Sequence, residues 1–263
     1  MQRRDFLGAS CLAGAAALGT MTGAAGVAGA GEASKKQILE LRVYRFDDAA
    51  ARQRLEKFLA EVAIPAWNRI GIKPVGAFIP ADEKLVDLYV LLPHGSAESF
   101  ATSASRLWAD AEYQKAGEAV LNVAKDAPAY KRVESSVMIA FDGVPQVEVP
   151  SKKDTRVLQL RIYESHSDVK AKKKVEMFNA GGELALFRRC GMGPVFFGET
   201  IAGLKMPNLT YMVGFDDPDA QKAGWDKFMK DPEWLKLKDD PQYKDTVSNI
   251  TNIVMKPAAG SQI

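Results

Sequence analysis

The sequence predicts an α+β fold in which one β-α-β-β-α-β domain, the ferredoxin-like plan, occurs twice in tandem. The first observation is that the hexapeptide 39–44 returns at 158–163 with four identical residues. The second is that later landmarks repeat at offsets of 119 to 122 residues; the pairs are Gly71 with Gly191, Tyr89 with Tyr211 and Asp110 with Asp231. Chance similarity would not keep this register over several separate motifs. The period is too long for a solenoid, so it indicates two tandem domains.

Each copy opens with a strand and a helix. Alternation over 39–46 and 157–163 predicts the strands. Apolar residues at helical spacing, from Leu55 to Val62 in the first copy, predict the helices. Asp47 or Asp48 and Ser167 are the N-cap candidates, Pro65 and Gly181-Gly182 predict a kink or restart, and Gly71 and Gly191 suit left-handed C-caps.

The remaining elements follow in the same order. Strands are predicted at 75–79 and 85–92, then an amphipathic helix around Phe100 to Trp108, then a strand at 133–141. The second copy repeats them at 195–200, 209–215, Trp225 to Met229 and 247–255. The predicted boundaries are 1–30 for a signal peptide, 31–37 and 142–154 for linkers, 38–141 and 155–257 for the repeats, and 258–263 for a loose tail.

The first thirty residues have the pattern of an export signal. Arg3 and Arg4 precede x-Phe-Leu and a charge-free, small-residue stretch that ends in Ala28-Gly29-Ala30. This resembles a bacterial twin-arginine (Tat) signal and predicts a periplasmic or secreted protein. Cleavage would leave no stable membrane association, although an uncleaved anchor is the alternative.

Composition excludes several classes of function. The 263-residue chain carries 35 Lys and Arg against 33 Asp and Glu, and a net charge of +2 provides no field for nucleic acid. Of two cysteines, Cys11 lies in the predicted signal, so Cys190 is expected to be a small buried residue. The two histidines, His94 and His166, form no metal-binding pattern, so no metal site is predicted, and haem remains a possible cofactor without a motif to support it.

Strand alternation suggests where a ligand would bind. We expect Leu39, Leu41 and Val43 to face the helices. The alternate residues Glu40, Arg42 and Tyr44 should then face away from them. Two helix-free faces would then pack against each other and enclose a half-polar interior. The residues predicted to bind a ligand there are Arg42, Tyr44, Tyr89, Arg161, Tyr163 and Tyr211, with walls from Trp67, Trp225, Phe196 and Phe197. In the structural alternative, the arginines pair with carboxylates such as Glu40 and the tyrosines fill space.

A set of motifs occurs in a fixed order along the chain. They are the Leu39–Tyr44 strand, the Gly-x-x-Pro after the first helix, Leu209-Thr210-Tyr211, and the run from Trp225 and Phe228 to Asp231-Pro232-Glu233-Trp234, from which the first copy departs with Ala111 and Tyr113. Together they resemble the NIPSNAP family. The resemblance implies a dimeric α/β-barrel within one chain, with the sheets face to face. It implies no settled activity, and relatives on this barrel include haem-degrading and cofactor-independent monooxygenases and some isomerases.

The predicted function is therefore binding of a small organic ligand between the two repeats, in a protein that is a pseudo-dimeric monomer or a homo-oligomer. One alternative is a monooxygenase-like or isomerase-like enzyme in the same cavity, with Tyr44 or Tyr163 as acid/base. The other is an interaction module whose barrel is filled by side chains. An open pocket that holds an Arg and a Tyr with no countercharge favours the first two, and a closed, filled interior favours the third.

Overall fold

The computed structural model describes residues 35–263 and shows two repeats with the same sequence of elements. The predicted signal at 1–30 lies outside the described residues. The strands are β1 (Ile38–Arg45), β2 (Gly76–Pro80), β3 (Leu88–His94), β4 (Arg132–Ala140), β5 (Val157–Glu164), β6 (Gly193–Ala202), β7 (Asn208–Phe215) and β8 (Asn249–Pro257). Every predicted strand is present, with ends displaced by up to three residues because edge residues pair only where a neighbour reaches them.

The two four-stranded sheets join edge to edge into one closed antiparallel barrel, in the order β1-β3-β2-β8-β5-β7-β6-β4. Within each repeat the first strand lies between the third and the fourth. The repeats meet at two seams, where β2 pairs with β8 and β4 pairs with β6. Closure removes the exposed sheet edges that would otherwise invite aggregation.

The helices pack on the outside of the barrel. They are α1 (Ala49–Phe58), a π-helical turn (Leu59–Ala63), α2 (Ile64–Arg69), α3 (Ala97–Trp108), α4 (Ala111–Leu121), α5 (Asp168–Asn179), α6 (Glu183–Arg189), α7 (Pro218–Lys230), α8 (Pro232–Lys238) and a 3₁₀ turn (Pro241–Tyr243). Asp48 and Ser167 cap α1 and α5, as predicted. Gly71 and Gly191 adopt φ of +84° and +81° after the helix ends, also as predicted.

The second crossover of each repeat contains two helices where the sequence predicted one. Asp110 caps α4 and Asp231 caps α8 through side-chain bonds to backbone N–H groups. These caps start a new helix immediately after the preceding one ends. The repeated Asp-x-Glu-aromatic motif is therefore a helix start.

Three apolar clusters hold the fold together. One lies between the helices and sheet of the first repeat and includes Tyr44, Leu59 and Trp67. A second lies at the same place in the second repeat and includes Tyr163 and Tyr211. The third fills the barrel itself; its members include Leu39, Leu41, Phe78, Tyr89, Leu158, Leu160, Phe196 and Met255. Each fully buried large side chain contributes roughly 1.5–3 kcal/mol of transfer free energy.

The predicted orientation of the first strands is wrong. Leu39 and Leu41 point into the barrel with Val43 against them, whereas Tyr44 packs beneath the helices and Arg42 lies over the Trp67 ring of α2. Alternation fixes which residues share a face but not which face is covered. Both faces are buried here, so the charged Glu40 and Arg42 gave a misleading signal for the helix-free side.

Tyr89 and Tyr211 are not structural equivalents, although they align in sequence. Arg42 pairs with Val90 in β3, and its counterpart Arg161 pairs with Tyr211 in β7. Tyr89 is therefore shifted by one position relative to Tyr211 and points to the opposite face of its sheet. Tyr211 belongs to the helix-side core and Tyr89 to the barrel interior.

The segment after β8 is not a loose tail. The backbone N–H groups of Val75 and Ala77 donate to the side chains of Gln262 and Ser261. Ile263 is 1% exposed and belongs to the barrel core, against which Val147 and Val149 of the predicted linker also pack. The prediction of a loose tail was wrong for two reasons. The backbone N–H groups at the start of β2 find their hydrogen-bond partners in this segment, and Ile263 covers the apolar opening at this end of the barrel.

Candidate functional site

A cavity of about 290 Å³ opens at the barrel end opposite the one covered by Ile263. Both repeats build it. The first contributes the second half of β1 and the starts of β3 and β4, and the second contributes the matching parts of β5, β7 and β8. Its apolar wall consists of Leu41, Val43, Leu85, Leu160, Ile162, Leu204 and Ile253. The side chains Arg45, Asp87, Tyr89, Glu134, Ser136, Lys205, Asn208, Thr210 and Thr251 supply the polar groups.

An ion-pair network forms one side of the cavity mouth. The Arg45 guanidinium donates to Asp87 and, at 2.7 Å, to Glu134. These two carboxylates come from the loop before β3 and from β4, so the network ties three strands of the first repeat together. One guanidinium faces two carboxylates, which leaves excess negative charge on this side, and the pKa of Arg45 is raised by the Glu134 contact.

The opposite side of the mouth belongs to the second repeat. Lys205 Nζ lies 2.6 Å from Thr251 Oγ1 and 3.4 Å from Glu164. Asn208, which is buried, accepts a hydrogen bond from Thr200 at 2.7 Å and donates to the backbone of Leu204. These bonds fix the β6–β7 loop at the mouth of the cavity.

Tyr89 is the one predicted ligand-binding residue that lines this cavity. Burial, reinforced by the nearby Asp87 carboxylate, raises the pKa of its hydroxyl to about 12, and Arg45 only partly offsets this. The hydroxyl is therefore protonated at neutral pH and can donate a hydrogen bond to a ligand.

Arg42 and Tyr44 lie on the other side of the sheet, under the helices. Arg42 donates to both oxygens of Glu40 at 2.7 and 2.9 Å. Burial alone would raise the pKa of the Glu40 carboxyl, but contacts with His94, Arg42 and Ser135 together outweigh it and lower the pKa to about 2. His94 is completely buried, with Nε2 3.5 Å from Glu40. The pairing of Arg42 with Glu40 matches the structural alternative given by the sequence.

Arg161 and Tyr163 occupy the equivalent layer of the second repeat, where Gln159 replaces Glu40. The Arg161 guanidinium lies 5.3 Å from the Tyr163 ring and 4.8 Å from the Trp225 ring, and its Nε is buried without a hydrogen-bond partner. The hydroxyls of Tyr163 and Tyr211 are 3.1 Å apart. Burial raises the pKa of both, which makes Tyr163 a poor base at neutral pH.

The candidate site thus differs from the one predicted from sequence. The structure brings Tyr89 to the cavity and places the other five predicted residues in helix-side layers, where a role in ligand binding stays a prediction. Sequence reasoning missed Arg45, Asp87, Glu134 and Lys205. The sequence contained a signal for Arg45, because it lies on the same face of β1 as Leu41 and Val43. Once those two residues are placed inside the barrel, Arg45 must point to the inside as well.

Neither histidine could hold a haem iron in this cavity. His94 is completely buried on the helix side of β3 and His166 is exposed, and neither lines the cavity. Within residues 35–263, no cluster of three or more His, Cys, Asp or Glu side chains is arranged to hold a metal ion.

Cys190 is free and buried, as predicted. No helix in the described part of the chain is long and apolar enough to span a membrane.

A family model matches the sequence twice, over residues 39–142 and 158–262, and both matches carry the NIPSNAP description. The chain belongs to the NIPSNAP family. The two matches coincide with the two halves of the barrel, so one NIPSNAP repeat supplies four of the eight strands. Comparison with curated proteins gives no significant match.

Solved structures with the same fold include two proposed monooxygenases. The protein from Lactobacillus acidophilus has 14% identity and a TM-score of 0.57, with 87% of this chain and 99% of that chain covered. The one from Fusobacterium nucleatum has 8% identity and a TM-score of 0.56, with coverages of 85% and 93%. An anthrone oxidase-like protein has 11% identity and a TM-score of 0.55, with coverages of 88% and 97%. At these identities the likeness shows the fold alone.

Proposed function

We propose that this NIPSNAP protein binds a small, largely apolar organic molecule in the barrel-end cavity. One observation carries the proposal: the barrel is covered at one end and keeps a cavity of about 290 Å³ at the other, where both repeats contribute walls. This volume is close to the lower limit of roughly 300 Å³ for small-molecule pockets. We also infer that the chain is an intrachain form of the ferredoxin-like dimeric α/β-barrel.

The lining indicates what kind of molecule would bind. Aliphatic side chains surround the inner part, so the ligand gains most of its affinity from apolar burial. Tyr89 supplies a hydrogen-bond donor, and the Asp87 and Glu134 carboxylates are held by Arg45. A free anion would meet these carboxylates at the mouth, which favours a neutral ligand that carries a hydrogen-bond acceptor for Tyr89.

Thermal unfolding in the presence of a library of small neutral compounds tests this proposal. We expect a subset to raise Tm in a concentration-dependent way, because a ligand that binds only the native state stabilises it. Ile162→Trp, which fills the cavity, should abolish the shift, whereas Val169→Trp on the exposed face of α5 should keep it. If no compound shifts Tm, or if Ile162→Trp responds like the wild type, the proposal is wrong.

A second candidate function is catalysis in the same cavity, of the monooxygenase-like or isomerase-like kind. The observation that favours it is a carboxylate, Asp87, beside a protonated phenol, Tyr89, at the edge of an apolar cavity. Such a pair can exchange protons with a bound molecule. A monooxygenase-like reaction would take O2 as its oxidant, so each bound compound is incubated in aerated buffer and analysed by liquid chromatography with mass spectrometry. An oxygenated or isomeric product should appear with the wild type and be absent with Tyr89→Phe, which should still bind the compound, more weakly by one hydrogen bond. Unchanged compounds would leave binding alone as the function.

We propose further that the chain is exported through the twin-arginine route and acts in the periplasm or outside the cell. Arg3 and Arg4, followed by the uncharged stretch to Ala30, support this. Fractionation of a bacterial host that produces the full chain should place the shorter, cleaved protein outside the cytoplasm. Arg3→Lys/Arg4→Lys should retain the uncleaved chain in the cytoplasm; export of this variant at the wild-type level would contradict the proposal.

A further inference from the structure

A second cavity, of about 210 Å³, lies in the helix layer of the first repeat and is separate from the barrel-end cavity. Arg42 and Trp67 form its inner part, and Trp108, 58% exposed, stands at its rim. The other lining residues are Ser103, Ala104, Leu107 and Tyr113. The volume exceeds the roughly 150 Å³ of an engineered apolar cavity that takes up benzene.

The second repeat shows what would fill this space. Ser96 caps α3 and Asp217 caps α7, and both caps bond the N–H three residues later. The eighth residue after the cap is Ala104 in α3 and Trp225 in α7. In the second repeat an indole ring therefore occupies the position that an alanine leaves open in the first.

The contacts of Trp225 define the chemistry of this position. Its ring lies 4.8 Å from the Arg161 guanidinium and 5.8 Å from the Phe187 ring. Its Nε1 donates to Gln159 Oε1 at 2.6 Å. The indole is thus held by a cation–π contact, an aromatic neighbour and one N–H hydrogen bond.

The first repeat keeps the partners of the missing ring. Arg42 corresponds to Arg161, Trp67 lies four residues before Gly71 as Phe187 does before Gly191, and Glu40 replaces Gln159. Glu40 accepts from Arg42 and Ser135, has His94 Nε2 3.5 Å from its second oxygen, and does not line the cavity, so the Arg42 guanidinium and the Trp67 ring are the partners that remain for a ring.

We propose that the cavity beside Arg42 is a binding site for a free, neutral aromatic molecule of about the size of indole. The ring stacks on the Arg42 guanidinium against Trp67. The molecule takes the place that the Trp225 side chain holds in the second repeat. This site is independent of the function proposed for the barrel-end cavity.

Calorimetric titration of the full chain with indole tests the proposal. Wild type should bind indole saturably at one site, and 1-methylindole should bind with similar affinity, because its ring face still stacks on the Arg42 guanidinium. Ala104→Trp should abolish binding and raise Tm without ligand, since the covalent indole fills the cavity. Ala101→Trp, an exposed position on the same helix, is the matched control and should bind like the wild type.

Other results would overturn the proposal. Absence of saturable binding by wild type, or undiminished binding by Ala104→Trp, contradicts the site. Ala104→Leu serves if Ala104→Trp does not fold, and it should weaken binding by partial filling. Indole binding that is lost in Ile162→Trp but kept in Ala104→Trp would assign the ligand to the barrel-end cavity instead.

Discussion

Glu40 and Arg42 show how a charged pair is kept beneath a layer of helices. The Glu40 side chain is 6% exposed, and Arg42, Ser135 and His94 all contact its carboxylate. Burial of such a charge is unfavourable unless its hydrogen bonds are made, and here at least three are made. In the second repeat the neutral Gln159 replaces this carboxylate and bonds to Asn252, Gln221 and Trp225.

Glu40→Gln is expected to destabilise the protein by about 3 kcal/mol at neutral pH. The pKa of Glu40 falls from 4.5 to about 2 on folding, so its stabilisation is present above pH 4.5 and is lost as the pH falls toward 2. Urea unfolding at pH 7, 5 and 3.5 measures the difference in free energy of unfolding between wild type and variant.

The difference should be largest at pH 7 and should shrink as the pH falls below 4.5. Glu98→Gln on the exposed face of α3 is the matched control and should change the free energy of unfolding by less than about 0.5 kcal/mol. A difference between wild type and Glu40→Gln that does not vary with pH would show that the carboxylate charge is not what stabilises this layer.

At the level of elements, the two ends of the barrel differ. One end is covered by the linker after β4 and by the segment after β8, which contribute Val147, Val149 and Ile263 to the core. The other end is bordered by the β2–β3 and β6–β7 loops and remains open to a ligand. One end is therefore filled by side chains, and the other is an open pocket whose Arg45 is paired with Asp87 and Glu134.

Ile263→Ala is expected to lower the free energy of unfolding by about 2–5 kcal/mol, because it leaves a cavity in a well-packed core. Ile250→Ala is the matched control, since Ile250 is 45% exposed in β8 and its truncation should cost less than about 0.5 kcal/mol. Urea unfolding at pH 7 compares the two variants. Equal, small losses would mean that the segment after β8 does not seal the barrel.

At the scale of the whole molecule, repetition and periodicity predicted the element order, the tandem domains and their contact through helix-free faces. They could not predict which residues lie inside. Leu41 and Tyr44 are both suited to a buried face, and only pairing with neighbouring strands decides which one enters the barrel. The one-residue shift between Tyr89 and Tyr211 was invisible for the same reason, because both are tyrosines in matching strands.

The cavities were also beyond sequence reasoning. Arg45, Asp87 and Glu134 are far apart in the chain, and the pairing of β1 with both β3 and β4 brings them together. The helix-layer cavity arises from a small residue, Ala104, at a position whose importance is visible only by comparison with Trp225 after the two helices are aligned by their caps.

Hydrogen–deuterium exchange at the two seams tests most directly whether the repeats form one barrel. We expect the hydrogen-bonded amides of the β2–β8 and β4–β6 seams to be protected to the same extent as those of the β1–β3 ladder within the first repeat, because a closed barrel opens only by global unfolding. Rapid exchange at both seams, with the ladders inside each repeat still protected, would show two independent sheets and contradict the account.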